Sequence, residues 1–345
     1  MTDAAAPNSI PHQRRKRYTG KNPRRFEDKY KELSRDPETI AKVIASGKTP
    51  VGTHRPIMVG EILQVLAPRP GDFAADCTLG YGGHAHEILA KILPGGKLLG
   101  LDADPLELPK TETRLRALGF DEKVFSAHRT NFAGLPQVLA AENLAGADLI
   151  LADLGVSSMQ IDDPARGFSV KRNGPLDMRM NPQRSQSAAA LLQTIKPAAL
   201  AEMLAEFSDE PNAATLAPLL AEKSFTTTLE LAAGVRAALP RLGKEDSDLT
   251  VRRVFQTLRI AVNDEFSALE TFLRNLPACL KPGGRVAILT FHSGEDRRVK
   301  KAFDAGFSHG SYSEISREVL RPKPEEQHSN PRSAPAKLRW ARRSS

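Results

Sequence analysis

Cysteine is nearly missing from this chain: Cys77 and Cys279 are the only two in 345 residues. They lie far apart, and neither has a His or Cys neighbour at metal-ligand spacing, which argues against a disulfide framework and against a zinc site. No metal is expected. No apolar run approaches the length of a bilayer span, so no membrane partner is expected either. The N-terminus lacks the apolar stretch of a secretory signal; together with the unpaired cysteines, this points to a reducing compartment, the cytoplasm. Hydrophobic residues at 40% and charged residues at 26% match ordinary soluble domains and exclude a disordered or membrane class. A net charge of +8 admits a polyanionic partner, as it admits a merely solvated basic surface.

Residues 1–50 are polar, basic and weakly periodic, broken by Pro7, Pro11 and Pro23, and read as an N-terminal extension outside the core. Between Arg14 and Arg25 there are seven Lys or Arg and no acid. A basic RNA-binding arm is the preferred reading, and an organellar transit peptide is the other. From Arg55 onward strands alternate with helices. Phe73–Asp76, Lys97–Leu101, Val124–Ala127 and Asp148–Asp153 read as strands, which predicts a doubly wound, mostly parallel α/β sheet. After residue 156 the alternation gives way to Ala/Leu-rich helical segments, one of which Thr228 could cap. The organisation expected is therefore a core of 51–160 and 251–345 interrupted by a helical subdomain at 161–250, the candidate for RNA recognition. The apolar stripe Val251, Val254, Phe255, Leu258, Val262, Phe266, Leu269 and Leu273 predicts one long helix to about Leu276. Lys281-Pro282-Gly283-Gly284 then predicts a turn, Arg285–His292 a strand and Glu295–Phe303 a helix. The last fifteen residues, with five basic residues and no acid, read as a second basic tail.

The chemistry concentrates at strand ends. Asp76-Cys77-Thr78-Leu79-Gly80-Tyr81-Gly82-Gly83-His84 joins a strand to a helix, where glycines let a ligand approach the backbone. Asp102, twenty residues beyond Gly82 at the end of the second strand, suits the two ribose hydroxyls of a nucleoside cofactor. NAD and S-adenosylmethionine both fit that pair of features. The third glycine of the dinucleotide fingerprint is missing, and Asp76 would repel a pyrophosphate while suiting an ammonium group, which favours S-adenosylmethionine. Asn131-Phe132 follows the third strand, where an aromatic ring could pack on adenine, or simply on the core. Asp153-Leu154-Gly155-Val156-Ser157-Ser158 ends the fourth strand, at the edge where ligands of such sheets gather. The acid-or-amide, Pro-Pro, aromatic sequence common at that place in amine methylases is absent.

Gly80–His84, Asp153-Leu154-Gly155-Val156-Ser157-Ser158-Met159-Gln160, Arg166-Gly167-Phe168-Ser169 and Gly174-Pro175-Leu176-Asp177-Met178-Arg179-Met180 occur in that order. With Phe255-Gln256, Arg259-Ile260, Asn263, Phe291-His292-Ser293 and Asn330-Pro331-Arg332-Ser333, they resemble the MraW/RsmH family of 16S rRNA cytosine-N4 methyltransferases over roughly residues 54–342. The resemblance implies a Rossmann-like class I methyltransferase fold with a helical insertion, acting with S-adenosylmethionine on a decoding-centre cytosine of 16S rRNA within the small ribosomal subunit. It implies cofactor contacts at Gly82, Gly83, His84, Asp102, Phe132, Asp153 and Gln160. Tyr81 departs from the basic residue usual in the family's glycine turn, and Gly294 from its Leu. DNA is not expected as a partner, and a homodimer stays open.

A cytosine exocyclic amine is a poor nucleophile, because its lone pair is delocalised into the ring, and it must lose a proton as it is methylated. Asp153, Asp177 and His292 are the candidate acceptors, each with a buried structural hydrogen bond as its alternative role. Positioning alone can also carry such an in-line transfer. Two other functions remain open at this point: a non-catalytic RNA-binding or ribosome-assembly protein, and an NAD-dependent oxidoreductase.

Overall fold

The computed structural model describes residues 56–183 and 186–345; the basic segment expected at 1–50 lies outside the described residues. Seven strands form one sheet in the order β3-β2-β1-β4-β5-β7-β6. The first four are β1 (Phe73–Asp76), β2 (Lys97–Asp102), β3 (Phe125–Arg129) and β4 (Ala147–Asp153); β5 (Leu280–Thr290), β6 (Tyr312–Ile315) and β7 (Lys337–Arg343) follow. β1 to β5 pair in parallel, and β7 lies antiparallel between β5 and β6. This is the Rossmann-like, doubly wound arrangement the residue pattern predicts.

The parallel strands are apolar on both faces because both faces are covered. Phe73, Ala75, Leu99, Leu101, Ile150, Ala152, Val286 and Ile288 point into one cluster with the helices Leu135–Ala141, Glu265–Cys279 and Ser293–Ser308. Their neighbours Ala74, Leu98, Leu149, Leu151, Ala287 and Leu289 point the other way, toward the helices Val59–Leu66, Gly83–Ile92 and Leu108–Ala117. The period-two alternation of side chains thus builds two cores from one sheet. Chain order reverses across β1, with β2 on one side and β4 on the other. Such a switch point opens a crevice at the carboxyl ends of the strands.

Five helices between β4 and β5 share a third core of their own: Ala188–Thr194, Pro197–Ser208, Ala213–Leu220, Thr228–Ala238 and Lys244–Asn263. Here the structure departs from the sequence pattern. The predicted long helix is two, Lys244–Asn263 and Glu265–Cys279, broken at Asp264, whose backbone is left-handed at φ 51°. Asp tolerates that conformation better than most residues. The continuous stripe is divided between layers: Val251, Val254, Phe255, Leu258 and Val262 enter the helical core, and Leu269 and Leu273 the sheet core. Thr228 does not cap its helix; Thr227 does, and Glu230 closes a capping box with it.

The turn expected at 281–284 is a bulge inside β5. Leu280 pairs with Ala147 and Arg285 with Leu149, so residues 281–284 loop out against Asp148 alone. Lys281 Nζ anchors the bulge 2.6 Å from Asp148 Oδ2. β5 ends at Thr290, so His292 is not a strand residue but the N-cap of the helix Ser293–Ser308. The second basic tail is no tail: residues 337–343 are β7, and its cations are used internally. Lys337 and Arg339 pair with Asp296, Arg342 with Glu314 and Arg332 with Asp162, while Arg343 donates to the Leu280 carbonyl.

Candidate active site

Three carboxylates end three neighbouring strands around one glycine turn: Asp76 on β1, Asp102 on β2 and Asp153 on β4. The turn is a product of its glycines. Gly80 and Gly82 take φ of 49° and 81°, and a Cβ at Gly82 would stand 2.9 Å from Thr111 Cγ2. A Cβ at Gly83 would be 2.5 Å from Pro56. Thr111 Oγ1 donates to the Gly80 carbonyl at 2.6 Å, and the Arg114 guanidinium lies 3.4 Å from the centre of the Tyr81 ring. The basic group absent at position 81 thus reaches the turn from the neighbouring helix.

Asp102 Oδ2 accepts from the Gly80 N–H at 2.7 Å, and Oδ1 from the Asp104 N–H at 2.8 Å. Each oxygen keeps a second lone pair for another donor. Asp153 is fixed through its backbone, its N–H donating to Thr78 Oγ1 at 2.6 Å. Its side chain is 27% exposed, and Oδ2 lies 3.6 Å from His84 Nδ1. Oδ1 is buried without a hydrogen-bond partner. His84 Nε2 lies 2.9 Å from the Ile57 carbonyl oxygen, which only a protonated nitrogen can satisfy, so Nδ1 carries the lone pair in the neutral ring. Burial lowers the His84 pKa and keeps the ring neutral.

Burial acts oppositely on the acids. It pushes Asp76 and Asp102 up to about 6 and Asp153 up to about 7, and in Asp76 the charges of Asp153 and Asp102 add to it. A site with several carboxylates and neutral His84 is short of positive charge. It fits a ligand that carries a cation, as S-adenosylmethionine does on its sulfonium and ammonium groups, and opposes a pyrophosphate.

Gln160 joins from the helix Ser158–Asp162, its Nε2 donating to Asp104 Oδ2 at 2.8 Å. Phe132 lies beyond β3 in a short 3-10 turn capped by Asn131 and packs edge-on against Phe272, with ring centres 5.6 Å apart. Gly82, Gly83, His84, Asp102, Asp153 and Gln160 are therefore linked around the turn, directly or through Asp104, and Phe132 lies one strand further out.

The candidate proton acceptors differ. Asp177 is held by Arg179, with contacts of 2.9 and 2.7 Å to its two oxygens, and although burial raises its pKa, the Arg179 bonds outweigh it and hold it below the usual range. His292 is engaged by Glu295: Nδ1 accepts from its N–H at 3.4 Å, and Nε2 is 3.0 Å from Oε1. Burial would raise Glu295, but His292 and Arg259 keep it ionised. Asp153 Oδ1 and His292 Nε2 are both buried without a hydrogen-bond partner, but Nε2 faces the Glu295 carboxylate at 3.0 Å. Arg259 pairs with Glu265 at 2.8 Å and lies 4.0 Å from where a Gly155 Cβ would stand.

Sequence reasoning gave no role to Asp104, Arg166 or Glu295. Asp104 is 1% exposed and paired with Arg166 at 2.8 Å. The signal available was local: Asp104 stands two residues after the ribose-type acid, and Arg166 opens the Arg-Gly-Phe-Ser stretch.

A protein from Alkaliphilus metalliredigens named ribosomal RNA small subunit methyltransferase H 2 is 47% identical over 340 residues, covering 95% of this chain and 97% of its own. Proteins named ribosomal RNA small subunit methyltransferase H 1 are 47% identical in Lachnoclostridium phytofermentans, over 99% of this chain and 96% of theirs, and 46% identical in Agathobacter rectalis, over 96% and 97%. The model of the MraW methylase family matches residues 52–344, and the chain belongs to that family.

Proposed function

We propose that this protein transfers the methyl group of S-adenosylmethionine to the exocyclic N4 of a cytosine in 16S rRNA, within the small ribosomal subunit and in the cytoplasm. The observation that carries the reading is the glycine turn ringed by Asp76, Asp102 and Asp153 at the switch point, in a chain of the MraW methylase family. Nothing in that site favours the oxidoreductase reading, since the buried acids oppose a pyrophosphate. A non-catalytic RNA-binding protein has no use for such a cradle.

Gly82, Gly83 and His84 would line the amino-acid end of the cofactor, and Asp102 would take the ribose hydroxyls through its free lone pairs. Asp153 and Gln160 would hold the side nearest the substrate, with Phe132 flanking adenine. When bound, S-adenosylmethionine supplies an electrophilic methyl group on a sulfonium sulfur. The protein's own task is to hold the cytosine amine in line with that methyl, since near-attack positioning is worth up to roughly 7–11 kcal/mol. Asp153 is the best placed of the three acceptors for the amine proton, because it ends β4 beside the glycine turn and its Oδ1 has no hydrogen-bond partner. Arg179 and Glu295 occupy the other two. Mass mapping of 16S rRNA from cells with and without the gene tests the reading: one cytosine should lose its N4-methyl group, and an unchanged methylation map would overturn it.

A further inference from the structure

Arg166 spans two halves of the site. Its Nη1 lies 2.8 Å from Asp104 Oδ2, while its Nη2 donates to the carbonyl oxygens of Arg179 and Met180 at 3.1 and 2.9 Å. Its own carbonyl accepts the Met178 N–H at 3.0 Å. The side chain is 10% exposed.

On one side, Asp104 is tied to the cofactor candidates. Its N–H donates to Asp102 Oδ1, and the Oδ2 that meets Arg166 also accepts from Gln160 Nε2, both at 2.8 Å. On the other side, the peptide Met178–Met180 is clamped by Asn263, whose Oδ1 accepts the Met180 N–H at 2.7 Å and whose Nδ2 donates to the Met178 carbonyl at 2.8 Å. Met178 is held at φ 62° although it is not glycine, and Gly167 at 72°, where a Cβ would collide with the Pro175 carbonyl. Residues held in that region persist only when their surroundings over-determine them, and they cluster at sites that must be pre-organised.

A buried Arg–Asp pair in the body of a domain can be purely structural. Here one end grips the carboxylate behind the proposed cofactor site and the other the loop that carries Asp177, so the guanidinium links the two directly. We infer that Arg166 is a positioning residue that couples occupancy of the cofactor site to the placement of the 163–180 loop against the substrate nucleotide. The inference rests on the methyl-transfer reading above. Coupling of this kind is reciprocal: a ligand in the cofactor site tightens substrate binding by the same factor as substrate tightens the ligand.

The test uses the full-length protein, Arg166→Met and Arg166→Lys, with small ribosomal subunits that lack the methyl group and S-adenosylhomocysteine as the cofactor-site probe. Subunit affinity is measured with and without the probe, and single-turnover methylation separately. The wild type should bind subunits at least about fivefold more tightly with the probe present, the low end of typical couplings. Arg166→Met should lose that difference and slow methyl transfer roughly 10- to 100-fold, as displaced reactants do. Arg166→Lys, which keeps the charge but not the planar fork, should fall between the two, and it carries the test if the Met variant does not fold. Coupling that is equal in all three proteins, or a loss confined to probe affinity and thermal stability, overturns the inference. If the wild type methylates no subunit, the methyl-transfer reading fails, while the coupling measurement still reports on Arg166.

Discussion

At the scale of single residues, the site is defined by acids that fold into low-dielectric surroundings. Burial is the largest cause that raises Asp76, Asp102 and Asp153 to about 6, 6 and 7. The folded state therefore holds these protons more tightly than the unfolded chain, so their contribution to stability is present at low pH and lost as pH rises through about 6 to 7. A cation brought against them lowers all three and expels protons. Affinity for S-adenosylmethionine should then tighten as pH rises from about 5 to 7, by up to roughly tenfold per unit for each group released, and level off above about 7.5. Burial lowers the His84 pKa, and any proton it loses in that window removes a positive charge from the site, while Glu295 is held below its usual range, so neither reverses the sign. Calorimetry in buffers of different ionisation enthalpy should record proton release below pH 7; affinity that weakens with rising pH would refute the charge assignment. Asp102→Ala should cost at least about tenfold in cofactor affinity, since it removes charge-assisted ribose bonds of about 1.5–3 kcal/mol each. It also releases the Gly80 and Asp104 N–H groups. An unchanged dissociation constant in a folded variant would rule out the ribose role. The glycine turn and Asp102 were legible because spacing and strand-end position reveal them. Asp104 and Arg166 were not, because a buried pair formed across 62 residues leaves no periodic trace.

At the scale of elements, strands β1 to β4 were legible from apolar runs bounded by turn residues, and the two-sided burial in the structure explains why those runs scarcely alternate. β7 was hidden by its own composition, because Arg339 is buried against Asp296 and the strand reads as a basic tail until that partner is seen. The break at Asp264 was hidden because the apolar period continues across it while the core it serves changes. The helix Thr228–Ala238 offers a direct check. Thr227 accepts from the Glu230 N–H, and Glu230 Oε2 takes the Thr227 N–H at 3.1 Å. Thr227→Ala should lower stability by about 1 kcal/mol in urea unfolding. Thr228→Ala acts on something else, since its buried hydroxyl donates to the Arg172 carbonyl and accepts from the Gly174 N–H, both at 3.3 Å. A cap at Thr228 would reverse the two effects, with Thr227→Ala silent.

At the scale of the whole molecule, the question is where a chain of net charge +8 meets a ribosomal polyanion. The C-terminal cations are consumed by Asp162, Asp296, Glu314 and a backbone carbonyl. That shifts the expectation to the N-terminal segment, where Arg14, Arg15, Lys16, Arg17, Lys21, Arg24 and Arg25 occur without an acid among them. Each cation that neutralises a phosphate releases counterions, so the logarithm of affinity falls against the logarithm of salt by about 0.9 per duplex phosphate or 0.7 per single-strand phosphate. If three or more of the seven engage rRNA, removal of residues 1–50 should flatten the slope by at least about 2. The proposed cofactor cradle is built from the sheet ends and from contacts no earlier than Pro56 and Ile57, so S-adenosylmethionine affinity should be unchanged by the same deletion. Neutralising the β7 cations is the matched control: Arg342→Gln breaks its pair with Glu314 and should leave the slope where it was. Subunit binding measured across salt concentrations for the three proteins separates a working arm from a solvated one, and superimposable slopes with and without residues 1–50 would eliminate the arm as a binding element.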